Sequence, residues 1–349
     1  EITQEPVKTF SIGYGVSGVD ETAYAEKVAQ HLGTDHHEIM LESGDVLKEL
    51  DKIIWHLDEP IADAALLPLY FLCKFTRKEV TVTFGGGGSD EVFGGYRAYK
   101  YAMLSQQVRD SLPQSIRGPL FGALKNVGAL PYRARKYLEY VSAKEGEYFY
   151  EGQGILLSQD EKREMCTQNF RAQITGNNPL AIAHGNFWQK NPGKTAYLNR
   201  LLITDIKGWL SDDCLAQYDR LSMAHALEAR APFLDHVLVE YCATIPQEYK
   251  INGWTEKYIL RQAMDKRLPP EIIERRKRGF TVPTDQWLFN PLWEYTTQAL
   301  DKGKLVNAVI DKEKMTRLLN RRGDFRISTK VFGLLMLQEW NRIFIEEGR

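Results

Sequence analysis

Between residues 80 and 96 the chain reads Val80-Thr81-Val82-Thr83-Phe84-Gly85-Gly86-Gly87-Gly88-Ser89-Asp90-Glu91-Val92-Phe93-Gly94-Gly95-Tyr96, and the rest of the architecture hangs on this passage. Its first five residues are β-branched or aromatic and predict a strand, while Asp90 and Glu91 suit the first turn of a helix starting just beyond the glycines. Glycine admits positive φ and clears Cβ atoms from the path of a ligand, and the amides at a helix start are unsatisfied donors for phosphate. With no ligand in view, the same four glycines read as a flexible loop.

Upstream, residues 7–14 predict a strand, followed by a helix in which Ala25, Val28, Ala29 and Leu32 share one face, with Asp20 as its N-cap and Gly33 as its stop. Residues 38–41 predict a short strand. Val46, Leu47, Leu50, Ile53, Ile54 and Leu57 then recur at helical spacing, and a third helix covers residues 69–78. Strands alternating with helices predict an α/β class with a parallel sheet flanked by helices, which binds ligands beyond the carboxyl ends of its strands. The Gly85 loop lies at such an end.

Downstream of about residue 105 the strand signal fades into a largely helical C-terminal body. Its clearest helices cover residues 137–141, 198–210, 219–227, 258–268 and 330–345. Asn177, Asn178 and Pro179, then Asn191, Pro192 and Gly193, punctuate an insert. Glu228 and Arg230, ahead of Pro232 and Asp235, read as a helix end turning into a loop, with Arg230 paired to a carboxylate that steadies the Asp219 region. Three parts are expected: an α/β portion over 1–105, a helical insert over 106–195, and a helical portion over 196–349 that completes the site.

A net charge of −1 over 349 residues leaves no electrostatic footprint for DNA or RNA, and no apolar run is long enough to span a membrane. The four cysteines are far apart with no CxxC pair, which points away from a disulfide framework or zinc site and toward a reducing, cytoplasmic setting. His36 and His37 are adjacent and cannot share one strand face, so structural hydrogen bonding is expected of them rather than metal binding.

Four constellations carry the chemistry: the glycine loop; Asp58-Glu59-Pro60-Ile61-Ala62-Asp63; Asp219 to Met223 leading to Glu228 through Asp235; and Glu256-Lys257-Tyr258-Ile259-Leu260-Arg261. With Phe10 to Gly13, Leu32 to Glu38, and Arg275 to Pro283 before Trp287, they resemble, in order, the synthetase domain of glutamine-dependent asparagine synthetases, members of the ATP pyrophosphatase superfamily. The resemblance implies an adenine nucleotide alpha hydrolase-like fold. It also implies a two-step ligase reaction in which aspartate and MgATP give β-aspartyl-AMP and pyrophosphate, and ammonia from a glutaminase domain then displaces AMP to form asparagine. A homodimer is one assembly open to such a protein.

Carried over by position, the resemblance implies that Ile12 contacts adenine, that Gly85, Gly86 and Gly87 lie against the nucleotide, and that Asp90 helps hold Mg²⁺ against the pyrophosphate. Lys257 is implied as the catalytic lysine at the α-phosphate; on residue type alone it is an exposed helical lysine. Asp63 is implied to line the site, and Lys277 to meet phosphate, with a turn residue and solvated basic surface as the plain alternatives.

The chain also departs from the family. The Ser-Gly-Gly-x-Asp-Ser loop that binds pyrophosphate is expected one strand-and-helix unit before residue 7; Ser17-Gly18-Val19-Asp20 mimics it after the wrong strand and reads as a turn and cap. No cysteine precedes Cys73, so glutamine hydrolysis is not expected of these residues, and residues 1–349 alone are expected not to bind MgATP productively. Gly87 stands where the family carries an acidic residue, and Gln217 where a basic residue is common. Those departures keep two rivals open: an enzyme with another acceptor, of β-lactam synthetase-like or envelope-sugar amidating type, and a non-catalytic binding member.

Overall fold

The computed structural model describes residues 5–16, 18–125, 127, 130–142, 156–157, 159–174, 196–275, 279, 282–288, 292–321 and 325–348. Helices dominate it, around two small parallel sheets. Strand β1 (Lys8–Gly13) pairs with β2 (Asp35–Met40) over six rungs, and β3 (Val82–Phe84) pairs with β4 (Glu228–Arg230) over three.

Helix α1 (Thr22–Leu32) joins β1 to β2, and both of its ends follow from single residues. The Asp20 carboxylate accepts the Thr22 N–H at 2.9 Å and reaches back to those of Tyr14 and Gly15, so one side chain tightens the turn after β1 and holds the first helical amide; the N-cap itself is Glu21, one residue later than expected, and its side chain makes no cap bond. Gly33, at φ +66°, closes the other end. The two histidines act locally: His36 bridges Thr9 and Ser11, and His37 stacks on Phe10 and meets Asp35 at 3.2 Å.

The main core forms where α2 (Ser43–Leu57) and α3 (Leu66–Thr76) meet the C-terminal helix Phe325–Asn341. Val46, Leu50, Ile53, Ile54 and Leu57 line the buried face of α2, each such side chain contributing about 1.5–3 kcal/mol of burial. Leu47 lies outside that face, 39% exposed. Phe332, Leu335 and Met336 enter this core, while Ile327, Val331 and Leu334 of the same helix enter a second one with Leu300, Val306 and Ile310. That helix is apolar on two sides because it separates two cores.

Two expectations about this framework are corrected. The strand before the glycines begins at Val82 rather than Val80, and Glu228 and Arg230 sit on a strand rather than at a helix end. The expected helix over 219–227 is the close of a helical run through Tyr197–Asp205, a π-helical Ile206–Cys214, and Leu215–Met223. A turn with Ala226 at φ +54° then delivers β4 to β3, where Glu228 N–H donates to the Thr81 carbonyl. Glu-Ala-Arg has no intrinsic strand preference, and a neighbouring backbone supplies what propensity does not.

Candidate active site

The carboxyl ends of β3 and β4 place the glycines. Gly85 N–H donates to the Arg230 carbonyl at 2.8 Å, extending the ladder by one rung before the chain leaves the sheet. Helix α4 (Ser89–Phe93) follows, with Gly88 at φ +86° before it and Gly94 at φ +73° after it. It has five residues, so the helix start expected to offer amides to phosphate is little more than one turn long.

The glycines do different work. A Cβ on Gly85 would overlap the Tyr218 ring and hydroxyl, and one on Gly88 would overlap Leu234, so these two admit protein side chains. Among the described residues, a Cβ on Gly86 would meet no atom within 4 Å beyond its chain neighbours, and one on Gly87 would meet the Ala231 Cβ at 4.0 Å. Open approach therefore belongs to Gly86 and Gly87. For Gly85, expected to lie against a ligand, the side from which a Cβ would project is taken by Tyr218.

Lys257 comes to this loop from far along the chain. Its ammonium donates to Ser89 Oγ at 2.9 Å and lies 3.0 Å from Asp90 Oδ1, a charge pair whose two side chains are 19% and 13% exposed. Lys257 is not a residue of a helix interior: it precedes the helix Tyr258–Met264 with φ +51°, a left-handed conformation uncommon for a side-chain-bearing residue. The turn before it is fixed by a bridge between Asn252 and Thr255 and by Glu256, whose carboxylate lies 2.5 Å from the buried Lys100 ammonium. Lys100 also donates to the Trp254 carbonyl.

Beside Lys257 opens a cavity of about 280 Å³, lined by Gly95, Glu256, Lys257, Arg261 and Arg275 over an apolar floor that includes Leu260 and Ile273. Its two arginines are committed to structure. Arg261 donates to the carbonyls of Glu256, Ile273 and Arg275, and Arg275 pairs with Glu21 and stacks over Tyr24.

Asp63 belongs to a second group. Burial raises its pKa against hydrogen bonds from the Ala65 amide and the Gln217 side chain. Gln217 also donates to Asp213 at 3.0 Å, and Asp213 is pushed up to about 7 by burial and then by the Asp63 charge. Asp63, Asp213, Glu91 and Asp205 all act on the Cys214 thiol, raising its pKa further beyond the effect of burial. Glu91 accepts from Tyr96 at 2.5 Å, and Asp205, raised by burial to about 8, accepts from Tyr99 at 2.5 Å. Asp63 therefore lines an acidic interior that continues beneath α4.

Of the residues singled out from sequence, the fold brings Asp90 and Lys257 together beside the glycines. Ile12 is 7% exposed and packs in the main core near the end of β1; Lys277 lies outside the described residues. Arg230 pairs with its strand neighbour Glu228 at 3.3 Å on the surface, not with the Asp219 region. Arg220 makes that anchor, donating to the Leu57 carbonyl and to Glu59 at 2.9 Å. No role was foreseen for Ser89, Asp213, Glu256 or Lys100; Ser89 and Glu256 stood inside recognised motifs, and Asp213 and Lys100 carried no signal of their own. Among the described residues no group of three or more acidic, histidine or cysteine side chains could hold a metal, and no helix is long and apolar enough to cross a membrane.

The asparagine synthase family model matches residues 1–342. The chain is 30% identical over 353 residues to asparagine synthetase [glutamine-hydrolyzing] 1 of Bacillus subtilis, covering 98% of this chain and 53% of the relative. It is 31% identical to a putative asparagine synthetase [glutamine-hydrolyzing] of Mycobacterium bovis (97% and 51%), and 26% identical to amidase chyE of Penicillium rubens (85% and 46%). The chain thus spans about half the length of the asparagine synthetases it matches. Matched along nearly its whole length, and with Ser89, Asp90 and Lys257 gathered at one loop, the chain belongs to the asparagine synthase family.

Proposed function

We propose that this chain is the synthetase portion of a glutamine-dependent amidotransferase that converts aspartate to asparagine at the expense of ATP. One observation carries the reading: an ammonium from residue 257 is held against Ser89 and Asp90, immediately after an open pair of glycines. In the proposed organisation residues 1–105 supply the loop, on an adenine nucleotide alpha hydrolase-like sheet. Residues 196–349 supply the lysine, and residues 106–195 are an insert.

The aspartate side-chain carboxylate attacks the α-phosphorus, the bond to the pyrophosphate oxygen breaks, and β-aspartyl-AMP forms. Ammonia then attacks the acyl carbon, AMP leaves with the electrons of the C–O bond, and loss of a proton gives the amide. Lys257 supplies positive charge where phosphate charge builds in both steps, and a fixed cation in a partly dry site stabilises such charge more than water does. Gly86 and Gly87 leave the loop backbone open to the nucleotide. Mg²⁺ suits Asp90 as one hard oxygen ligand among phosphates, since this ion is commonly held by one or two carboxylates and its substrate; it would offset charge on the leaving pyrophosphate. Asp90 would then exchange its Lys257 contact for the ion.

The test is pyrophosphate release by the full-length protein supplied with ATP, aspartate and ammonia. Lys257→Ala is expected to lower the rate by about 10²–10³-fold, the scale for removing one charge-stabilising donor, in a protein that still unfolds cooperatively. Release at the wild-type rate would overturn the role of Lys257. A second reading keeps the adenylation and changes the acceptor, and Gly87 favours it: space for a side chain exists there and none is used. A screen of carboxylate and amine pairs for pyrophosphate release separates the two.

A further inference from the structure

Gly94 and Gly95 stand in tandem after α4, yet they are glycine for different reasons. Gly94 needs its left-handed backbone, at φ +73°. Gly95 is not among the residues with positive φ, so no left-handed backbone calls for glycine there. What excludes a side chain there is the space: a Cβ would overlap both Asp90 Oδ1 and Lys257 Cε, and would stand 2.8 Å from Asp90 Cγ. Its own N–H donates to the Asp90 carbonyl at 2.8 Å, so the bare Cα is fixed behind the pair that it clears.

We propose that Gly95 is a positioning residue: the missing Cβ is what lets the Lys257 ammonium settle between Ser89 Oγ and Asp90 Oδ1 at the mouth of the cavity. The proposal rests on the reading of Lys257 given above only for its functional meaning; the positioning itself is a statement about three residues. A methyl group at position 95 would meet the Asp90 carboxylate and the lysine stem at once, because both occupy its volume, and one or both must shift from the pair they form.

The experiment compares Gly95→Ala with wild type, reading acylation of Lys257 by an amine-selective reagent through peptide mass spectrometry, with the exposed Lys8 and Lys48 as internal references. Lys257 is expected to react severalfold faster in Gly95→Ala, and the thermal midpoint to fall by several degrees. In a background of Asp90→Ala with Lys257→Ala, both colliding groups are gone, and adding Gly95→Ala is then expected to cost nothing further. This background keeps the test decisive if Gly95→Ala alone fails to fold. Unchanged Lys257 labelling, or an equal loss of stability in the double-variant background, would overturn the proposal. None of these readouts needs turnover, so they stand apart from pyrophosphate release by Lys257→Ala, which tests the catalytic reading.

Discussion

The two strand pairs are built on opposite terms. β1 and β2 share six rungs, carry their own cross-strand bonds through His36, and run at their carboxyl end into the main core at Ile12. β3 and β4 share three rungs and leave Val82 44% and Phe84 70% exposed, yet theirs is the sheet that delivers the glycine loop. A three-rung pair cannot hold a loop in place unaided. The loop is held from outside: Tyr218 lies against Gly85, Leu234 against Gly88, and Lys257 against Ser89 and Asp90. The difference teaches that the long pair is a scaffold that largely supports itself, whereas the chemistry-bearing pair depends on contacts more than a hundred residues away.

The sharpest way to break this comparison is to cut one of those distant supports. The Lys100–Glu256 pair is about nine-tenths buried and secures the turn that presents Lys257. Glu256→Ala strands a buried ammonium and is expected to cost about 3–5 kcal/mol, measured by urea unfolding. Acylation of Lys257 should rise in the same variant, because its turn is loosened. A cost within the range of an exposed pair, about 0–1 kcal/mol, would mean that the short sheet supports the loop by itself.

How much of this was legible in the sequence divides along the same line. The self-supporting region announced itself: Gly33 and the apolar spacing of α2 act locally and local rules read them correctly, and Asp20 was placed within one residue of the cap whose turn it holds. At the loop, local rules found the strand and the glycines but not their partners. Nothing in Glu228-Ala229-Arg230 signals a strand, because the hydrogen bonds that make it one belong to residues about 146 positions earlier. The clearance at Gly85 and Gly95 is equally invisible, since the side chains that need it come from Tyr218 and Lys257. Lys257 itself was reached through family resemblance, not through its chemistry, for an isolated lysine in a polar stretch carries no mark of its destination.

A smaller effect should appear in the pH dependence of stability, from the acidic interior beneath α4. Asp213 has its folded pKa raised to about 7 against an ordinary value of 3.8, so between those limits the folded state holds a proton that the unfolded state has released. Its contribution therefore falls as pH rises from about 4 to 7 and levels off above, where both states are ionised. Asp205, raised to about 8, acts in the same direction, while His56 and His225, lowered by burial, oppose it below about 6.5. The informative comparison is therefore Asp213→Asn with wild type across pH 5 to 8. The variant keeps an acceptor for Gln217 and is expected to lose less stability over that interval. Parallel curves would show that Asp213 is ionised throughout in the folded protein.

The smallest effect is expected at Arg230, where side chain and backbone can be separated. The side chain is 62% exposed and, among the described residues, pairs with a 53% exposed Glu228, a surface contact of about 0–1 kcal/mol. The carbonyl of the same residue receives the Gly85 N–H and ties the glycine loop to the sheet. Arg230→Ala removes the first and leaves the second, so the urea midpoint should hardly move. If the loop is held through the backbone of β4, pyrophosphate release by the full-length protein should hardly move either. A fall in release with unchanged stability would show that the exposed guanidinium reaches toward the phosphates. The short sheet would then contribute a side chain to the chemistry and not merely a place to stand.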